Sequence, residues 1–177
     1  MEPKGPLMKE HRLIERMIGR IEKEIGRIRR NRGVDPLFVD AAVDFIRTYA
    51  DQTHHGKEED ILFAELDNKG LSAEDRTVMD ELVQEHVFGR KTTAELEKAK
   101  QRYVDGDDSA ANDVAERLKT LAEFYPAHIE KEDKRFFPAA MTYLSPDERT
   151  AMLDKFSRFD EGMIHRKYRN VVETLGA

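Results

Sequence analysis

Two stretches of this chain set a histidine four residues ahead of a glutamate in similar surroundings: His54 with Glu58 in HHGKEEDILF, and His128 with Glu132 in HIEKEDKRFF. On a helix, residues i and i+4 share a face with Cβ atoms about 5–6 Å apart, so each pair aims an imidazole nitrogen and a carboxylate at one point. Two further histidines, His11 and His86, each follow a glutamate, in EHRLIERMI and EHVFGR. If four helices bring these side chains to one level, four imidazoles and two carboxylates converge, which is the donor set of a dinuclear metal site. One ion would take His11 and His54 and the other His86 and His128. Glu58 and Glu132 would bridge, their charges offsetting part of the buried divalent charge. Two imidazoles, two bridging carboxylate oxygens and a bridging hydroxide make about five donors per ion, short of an octahedral set. A coordination position then stays open for a small molecule.

The elements that must position these groups read as helices throughout. Turn chemistry at 31–35, 67–72, 105–109 and Ser145-Pro146 cuts the chain into five segments, none alternating like a strand. Asp35-Pro36, Ser72 with Asp75, and Ser145-Pro146 with Glu148 carry the cap and first-turn proline logic of helix starts. Connections of about 4–6 residues between long helices force antiparallel neighbours. The expected fold is all-α: an up-down-up-down four-helix bundle over 5–140 plus a fifth helix over about 146–175, in a single domain of 177 residues.

Periodicity says which side of each helix faces inward. The first seam runs Leu7, His11, Ile14, Ile18, Ile21, Ile25, Ile28, and the third runs Leu82, His86, Gly89, Thr93, Leu96, Lys100, Tyr103, the same positions displaced by 75 residues. The fourth runs Ala111, Val114, Leu118, Leu121, Tyr125, His128, Glu132. His54 and Glu58 answer His128 and Glu132 at a displacement of 74, so the chain reads as two copies of one helical hairpin. In the second helix the apolar set Phe38, Ala42, Phe45, Tyr49 reaches His54 only by a five-residue step, which predicts a bulge or local rewinding there.

Charged residues make up 37% of the chain against 39% hydrophobic, which fits long solvated helices. The absence of cysteine excludes disulfides, thiolate zinc sites, iron–sulfur clusters and thiol catalysis. A net charge of −6 with interspersed signs argues against a nucleic-acid partner. The basic cluster Arg27, Arg29, Arg30, Arg32 falls where the first helix ends and complements its dipole. No apolar run approaches the roughly 20 residues that span a bilayer, and the first residues lack a signal-peptide core, so no membrane association and a cytoplasmic location are expected.

Several neighbours of the six candidate ligands could support them. His55 with Glu59 repeats the His-x-x-x-Glu spacing, but Thr48, Asp51 and Gln52 upstream mark a solvated face, so this pair reads as solvated or as backing for the ligands. Glu15 and Arg90 each lie one turn after a histidine, and the pseudo-symmetry would pair them above the metals. Tyr49 and Tyr125 precede the ligand histidines and either pack or hydrogen-bond a bound species. His165, beside Glu161, Tyr168 and Arg169, reads as surface or as a control on access.

The four motifs quoted above, with HIEKEDKRFF extended to Pro138, resemble the four helix signatures of the hemerythrin-like, or HHE cation-binding, domain over about residues 5–140. The resemblance implies a four-helix bundle with a non-haem di-iron centre, its two irons (Fe2+/Fe3+) bridged by oxo or hydroxo and replaceable by zinc or manganese. Such a centre binds or reacts with oxygen, peroxide or nitric oxide. It implies His11, His54, Glu58, His86, His128 and Glu132 as ligands. Oxygen-carrying hemerythrins usually place a second histidine one turn after the third-helix one, where this chain has Arg90. That departure turns the reading from reversible oxygen storage toward sensing, redox chemistry or iron handling. A peroxide- or nitric-oxide-reactive oxidoreductase, a non-catalytic iron or oxygen sensor, storage or interaction module, and a bundle with a metal-free polar core are the competing functions.

Overall fold

The structure, a computed structural model, describes residues 2–31 and 33–175, with the side chains of 164 and 168–175 outside the description. Arg32 of the basic cluster, and the side chains of Tyr168 and Arg169, therefore lie outside the described residues. Among the described residues the backbone forms five helices and no strand. Helix α1 is Lys4–Asn31. Helix α2 covers 36–66, starting as Pro36–Phe45 and passing through two π-helical stretches, Ile46–His55 and Glu58–Phe63. Helix α3 is Ala73–Val104. Helix α4 covers 110–142, with a π-helical turn at Glu132–Phe136, and α5 is Pro146–Leu175.

The expected caps form. Asp35 accepts from the amides of Leu37 and Phe38, and Ser72 accepts from that of Asp75. Ser145 and Glu148 satisfy each other's backbone N–H groups as a reciprocal box. Between α3 and α4 the chain turns at Gly106, whose φ of +100° a side chain would strain.

Interhelix ion pairs show how the helices lie. Along α1 and α4 they join His11 to Asp133 and Arg29 to Glu116. Along α2 and α3 they join Arg47 to Glu97, Asp51 to Arg90 and Asp67 to Arg76. Along α3 and α4 they join Glu74 to Arg135, Glu85 to His128 and Arg102 to Asp113. In each set the partner number falls as the other rises, so these neighbours run in opposite directions. Helix α5 lies against α2, held by Lys57 to Asp160 and Lys155 to Glu65.

The seams predicted for α1 and α4 are buried throughout, and that of α3 is buried from Leu82 to Leu96. Helix α2 differs. Its buried row is Val39, Ala42, Val43, Ile46, Ala50, His54, Glu58 and Leu62, whereas Phe38, Phe45 and Tyr49 are only half-buried. From Ile46 to Leu62 that row advances in steps of four, and on an α-helix each such step drifts by about 40°. Widening the turn cancels the drift and keeps the row facing inward. The rewinding anticipated near His54 is present, although the row that requires it is not the Phe38–Tyr49 set.

Two hydrophobic clusters result. One, around Ile14, Ile18, Ile46, Leu96, Leu118 and Tyr125, fills the end of the molecule near the α1–α2 and α3–α4 connections. The other, around Leu7, Leu62, Leu82, Phe136 and Phe156, fills the opposite end. A layer of buried histidine and glutamate separates them.

Candidate metal centre

Each seam reaches this layer at a polar residue flanked by apolar ones, as His11 is by Leu7 and Ile14, so packing on both sides holds the side chain inward. The six residues singled out by spacing, His11, His54, Glu58, His86, His128 and Glu132, meet there and none is more than 2% exposed. They do so with a seventh, His55. Two groups of possible ligands form, each with donor atoms within 4.8 Å of one another: His11, His54, Glu58 and Glu132 in one, and His55, His86 and His128 in the other.

The two glutamates lie between these groups with one oxygen toward each. Glu58 sets Oε1 3.5 Å from His54 Nε2 and Oε2 3.4 Å from His86 Nε2. Glu132 sets Oε2 3.1 Å from His11 Nε2, and Oε1 3.2 Å from His128 Nε2 and 3.7 Å from His86 Nε2. Among the described residues, both oxygens of both carboxylates and the Nε2 atoms of His55, His86 and His128 are buried without a hydrogen-bond partner. Seven orphaned polar atoms facing one another would carry a heavy desolvation cost in a finished core. A cation bonded at about 2.0–2.2 Å satisfies donors so spaced, so the residues present fit a metal pair.

Behind every imidazole stands a carboxylate. Nδ1 of His11 donates to Asp133 at 2.7 Å, of His54 to Glu10 at 2.8 Å, of His86 to Glu59 at 2.7 Å and of His128 to Glu85 at 2.8 Å. His55 Nδ1 makes a longer contact of 3.4 Å to Asp51. These bonds fix the tautomer, leave the Nε2 lone pairs pointing inward and raise imidazole basicity, as metal-binding histidines require. The supporting carboxylates also obey the repeat: Glu10 and Glu85 each cross to the neighbouring helix of their own hairpin, and Glu59 and Asp133 each cross to the other hairpin. Their signal was in the sequence, since each sits one residue from an inward ligand. That offset turns it about 100° around the helix, toward the back of the adjacent one.

In the metal-free chain the cage residues titrate against one another. Burial lowers His54 to about 4, outweighing its bond to Glu10. Burial also opposes a charge on His11, but its bond to Asp133 and the nearby carboxylate of Glu132 carry it up to about 9, and its Nε2 stands 2.8 Å from that of His54, placed to donate to it. His128, likewise opposed by burial, is carried up to about 10 by Glu132 and Glu85. Burial and the charge of Glu132 hold Glu58 well above the usual carboxylate range, while Glu132 is pulled well below it against burial, first by the charge of His128 and then by the nearby imidazole of His11. The layer is an acid–base network organised around the position a cation would take.

The solvated alternative for His55 and the pairing of Glu15 with Arg90 fail. His55 is not solvated: it is 2% exposed and stacks on His86 with ring centroids 3.8 Å apart. The widened winding of Ile46–His55 turns both His54 and His55 inward, so the polar upstream residues, a guide only at α-helical pitch, misled. Glu15 does not meet Arg90. It lies exposed on α1 beside Arg12, whereas Arg90 is drawn to α2, where it donates to Asp51 at 2.7 Å and Glu59 at 2.6 Å. Arg90 is thus tied to the carboxylates that back His55 and His86. Tyr125 is fully buried with its ring parallel to His55, and Tyr49 is half-buried against Phe45. His165 is exposed.

Residues 6–140 match the family model of the hemerythrin HHE cation binding domain, and the chain belongs to that family. No curated protein and no solved structure matches it. Cation binding is the property that family and cage share. Among the described residues no helix is long and apolar enough to cross a membrane.

Proposed function

We propose that this chain is a non-haem di-iron protein that engages a small molecule such as oxygen, peroxide or nitric oxide at an open coordination position. We read its opposed helix pairings as an up-down-up-down four-helix bundle with α5 added outside. The observation that carries the proposal is the set of orphaned inward donors backed by outer carboxylates. A metal-free polar core would pair those atoms with one another.

The donors also argue for the metal. The first subsite takes His11, His54 and one oxygen from each glutamate; the second takes His55, His86, His128 and the other two oxygens. Five protein donors at the second exceed the four of a structural zinc site, and mixed imidazole and carboxylate suit iron. When bound, such a pair supplies redox change and a Lewis-acidic binding position.

The protein's part is to choose where that position lies. Displacing His55 by the repeat of 74 residues gives Ile129, which is buried and cannot coordinate. The first subsite would therefore be held by two imidazoles and the second by three, the place matching His55 being taken by the apolar side chain of Ile129. An uncharged small molecule fits such a wall better than an ion does.

A sensing rather than catalytic use of the same position is favoured by one contact chain. Glu10, which holds His54, is also bound by Lys57, and Lys57 donates to Asp160 of α5 at 2.7 Å. A change at the first subsite would thus reach the fifth helix.

Elemental analysis of the purified protein, with spectra under oxygen and under reductant, tests the proposal. Two irons per chain and oxygen-dependent near-ultraviolet or visible absorption are expected, with loss of at least one ion in His86→Ala. A colourless protein carrying stoichiometric zinc after iron-supplemented expression would refute the iron assignment. Unchanged metal content in His86→Ala would refute the site. Turnover of peroxide or nitric oxide separates the enzyme from the sensor, for which ligand-dependent protection of α5 without turnover is expected.

A further inference from the structure

Between α2 and α3, on the side of the cage toward Leu96 and Ile46, lies a pocket of about 200 Å³. His55 and Tyr125 form part of its lining, together with Gln52, Asp51, Thr93 and Arg90. It is smaller than the roughly 300–1,000 Å³ of pockets that hold drug-sized organic molecules, a size suited to a small molecule. Its cations are already paired, Arg90 with Asp51 and Glu59 and Arg47 with Glu97, which leaves one acid in excess. An anion therefore finds no free cation among these groups.

Arg90 is rooted on α3 and reaches α2 across this pocket, with its side chain 39% exposed on the outer side. Deep in the pocket, Tyr125 is fully buried with its ring parallel to that of His55, which is itself one of the cage residues. His55 thus belongs both to the pocket lining and to the cage, with Tyr125 beside it.

We propose that this pocket is the vestibule through which a small uncharged molecule, a diatomic gas or hydrogen peroxide, reaches the metal cage, with Arg90 as its outer latch and Tyr125 as its inner wall. The inference rests on the di-iron reading and adds a route and the residues that control it. The competing route is the cleft of about 710 Å³ between α1, α2 and α5, lined by Met17, Ala41, Phe45 and Tyr49, which reaches Glu10.

The test is the rate of nitric oxide binding to the reduced, iron-loaded protein, followed by stopped-flow absorbance, with iron content measured on the same samples. Arg90→Ala opens the latch and raises the rate about tenfold, equivalent to about 1.4 kcal/mol of barrier. Gln52→Trp fills the vestibule and lowers the rate by a similar factor, and Ala41→Trp, which fills the competing cleft, leaves it unchanged. If Arg90→Ala sheds iron, Gln52→Trp alone decides. Equal rates in Gln52→Trp and wild type, or slowing in Ala41→Trp, overturn the vestibule while leaving the di-iron reading intact.

A wild-type chain without iron overturns that reading instead. The vestibule is then judged on the metal-free chain by diethyl pyrocarbonate modification of His55, read by peptide mass spectrometry. Faster modification in Arg90→Ala than in wild type is expected, and equal modification overturns the latch.

Discussion

The two hairpins build one cage from matching positions, yet they differ in three places. The first, α1 with α2, supplies His11 and His54; the second, α3 with α4, supplies His86 and His128 and is lent His55 by α2. Lys57 of the first hairpin is fully buried under α5, whereas its counterpart Lys131 is 26% exposed and spans Glu85 and Glu81. Gly56 lies under Phe159 of α5, where a Cβ would come within 2.8 Å of the ring, whereas its counterpart is the exposed Glu130. Shared positions make the cage, and unshared ones give it two imidazoles on one side, three on the other, and a cover of α5 over the first hairpin. A repeat places donors symmetrically, and single substitutions at matched positions break that symmetry.

Substituting at matched positions tests this comparison. The largest effect is expected from His55→Ile, which gives the second subsite the side chain that the first has at Ile129. Metal content should fall from two ions per chain toward one, read by elemental analysis, and two tightly held ions would show that the third imidazole does not distinguish the subsites. Next come Glu10→Ala and Glu85→Ala. Each removes the carboxylate behind one imidazole and should weaken metal binding by about 10–100-fold in a chelator competition. Only Glu10→Ala leaves Lys57 buried with one acid fewer, and it should cost about 3 kcal/mol in urea unfolding of the metal-free chain. Glu85→Ala should cost less, since Lys131 is partly exposed and keeps Glu81. Equal losses would mean that the cover over the first hairpin has no energetic consequence.

Smaller again is Gly56→Ala, which drives a methyl into Phe159 and should cost about 1–3 kcal/mol while increasing hydrogen exchange in α5. The matched Glu130→Ala should change neither. Last is pH. His11 and His128 have folded-state values of about 9 and about 10, above the ordinary 6.5, so both bind protons more tightly when folded. Their contribution to the stability of the metal-free chain is complete below about 6.5 and is lost as pH rises through about 9 to 10. Urea midpoints of the metal-free protein should therefore fall over that interval, and a flat profile would remove the proton network from the account.

Much of the architecture was legible because α1, α3 and α4 keep their inward rows at α-helical pitch, where steps of three and four name the buried side. The six principal cage residues lie on such rows or at i and i+4, and they meet. In α2 the rewinding was anticipated but the inward row was misread, because successive steps of four are ambiguous: they drift around an α-helix but stay on one face of a wider one. The same ambiguity hid His55. Arg90 was misassigned because internal symmetry suggested Glu15, whereas the nearer acids were Asp51 and Glu59 on the adjacent helix.

By itself the sequence determined the helices, their boundaries, the types of donor and the level at which they converge, because caps, turns and side-chain period are local properties of a chain. Tertiary structure decided which carboxylate stands behind which imidazole, that α2 turns His55 inward, and that α5 closes over the first hairpin alone. Those depend on how wide a packed helix winds and which neighbour it touches, and no spacing along one strand of residues encodes either without the partner in place.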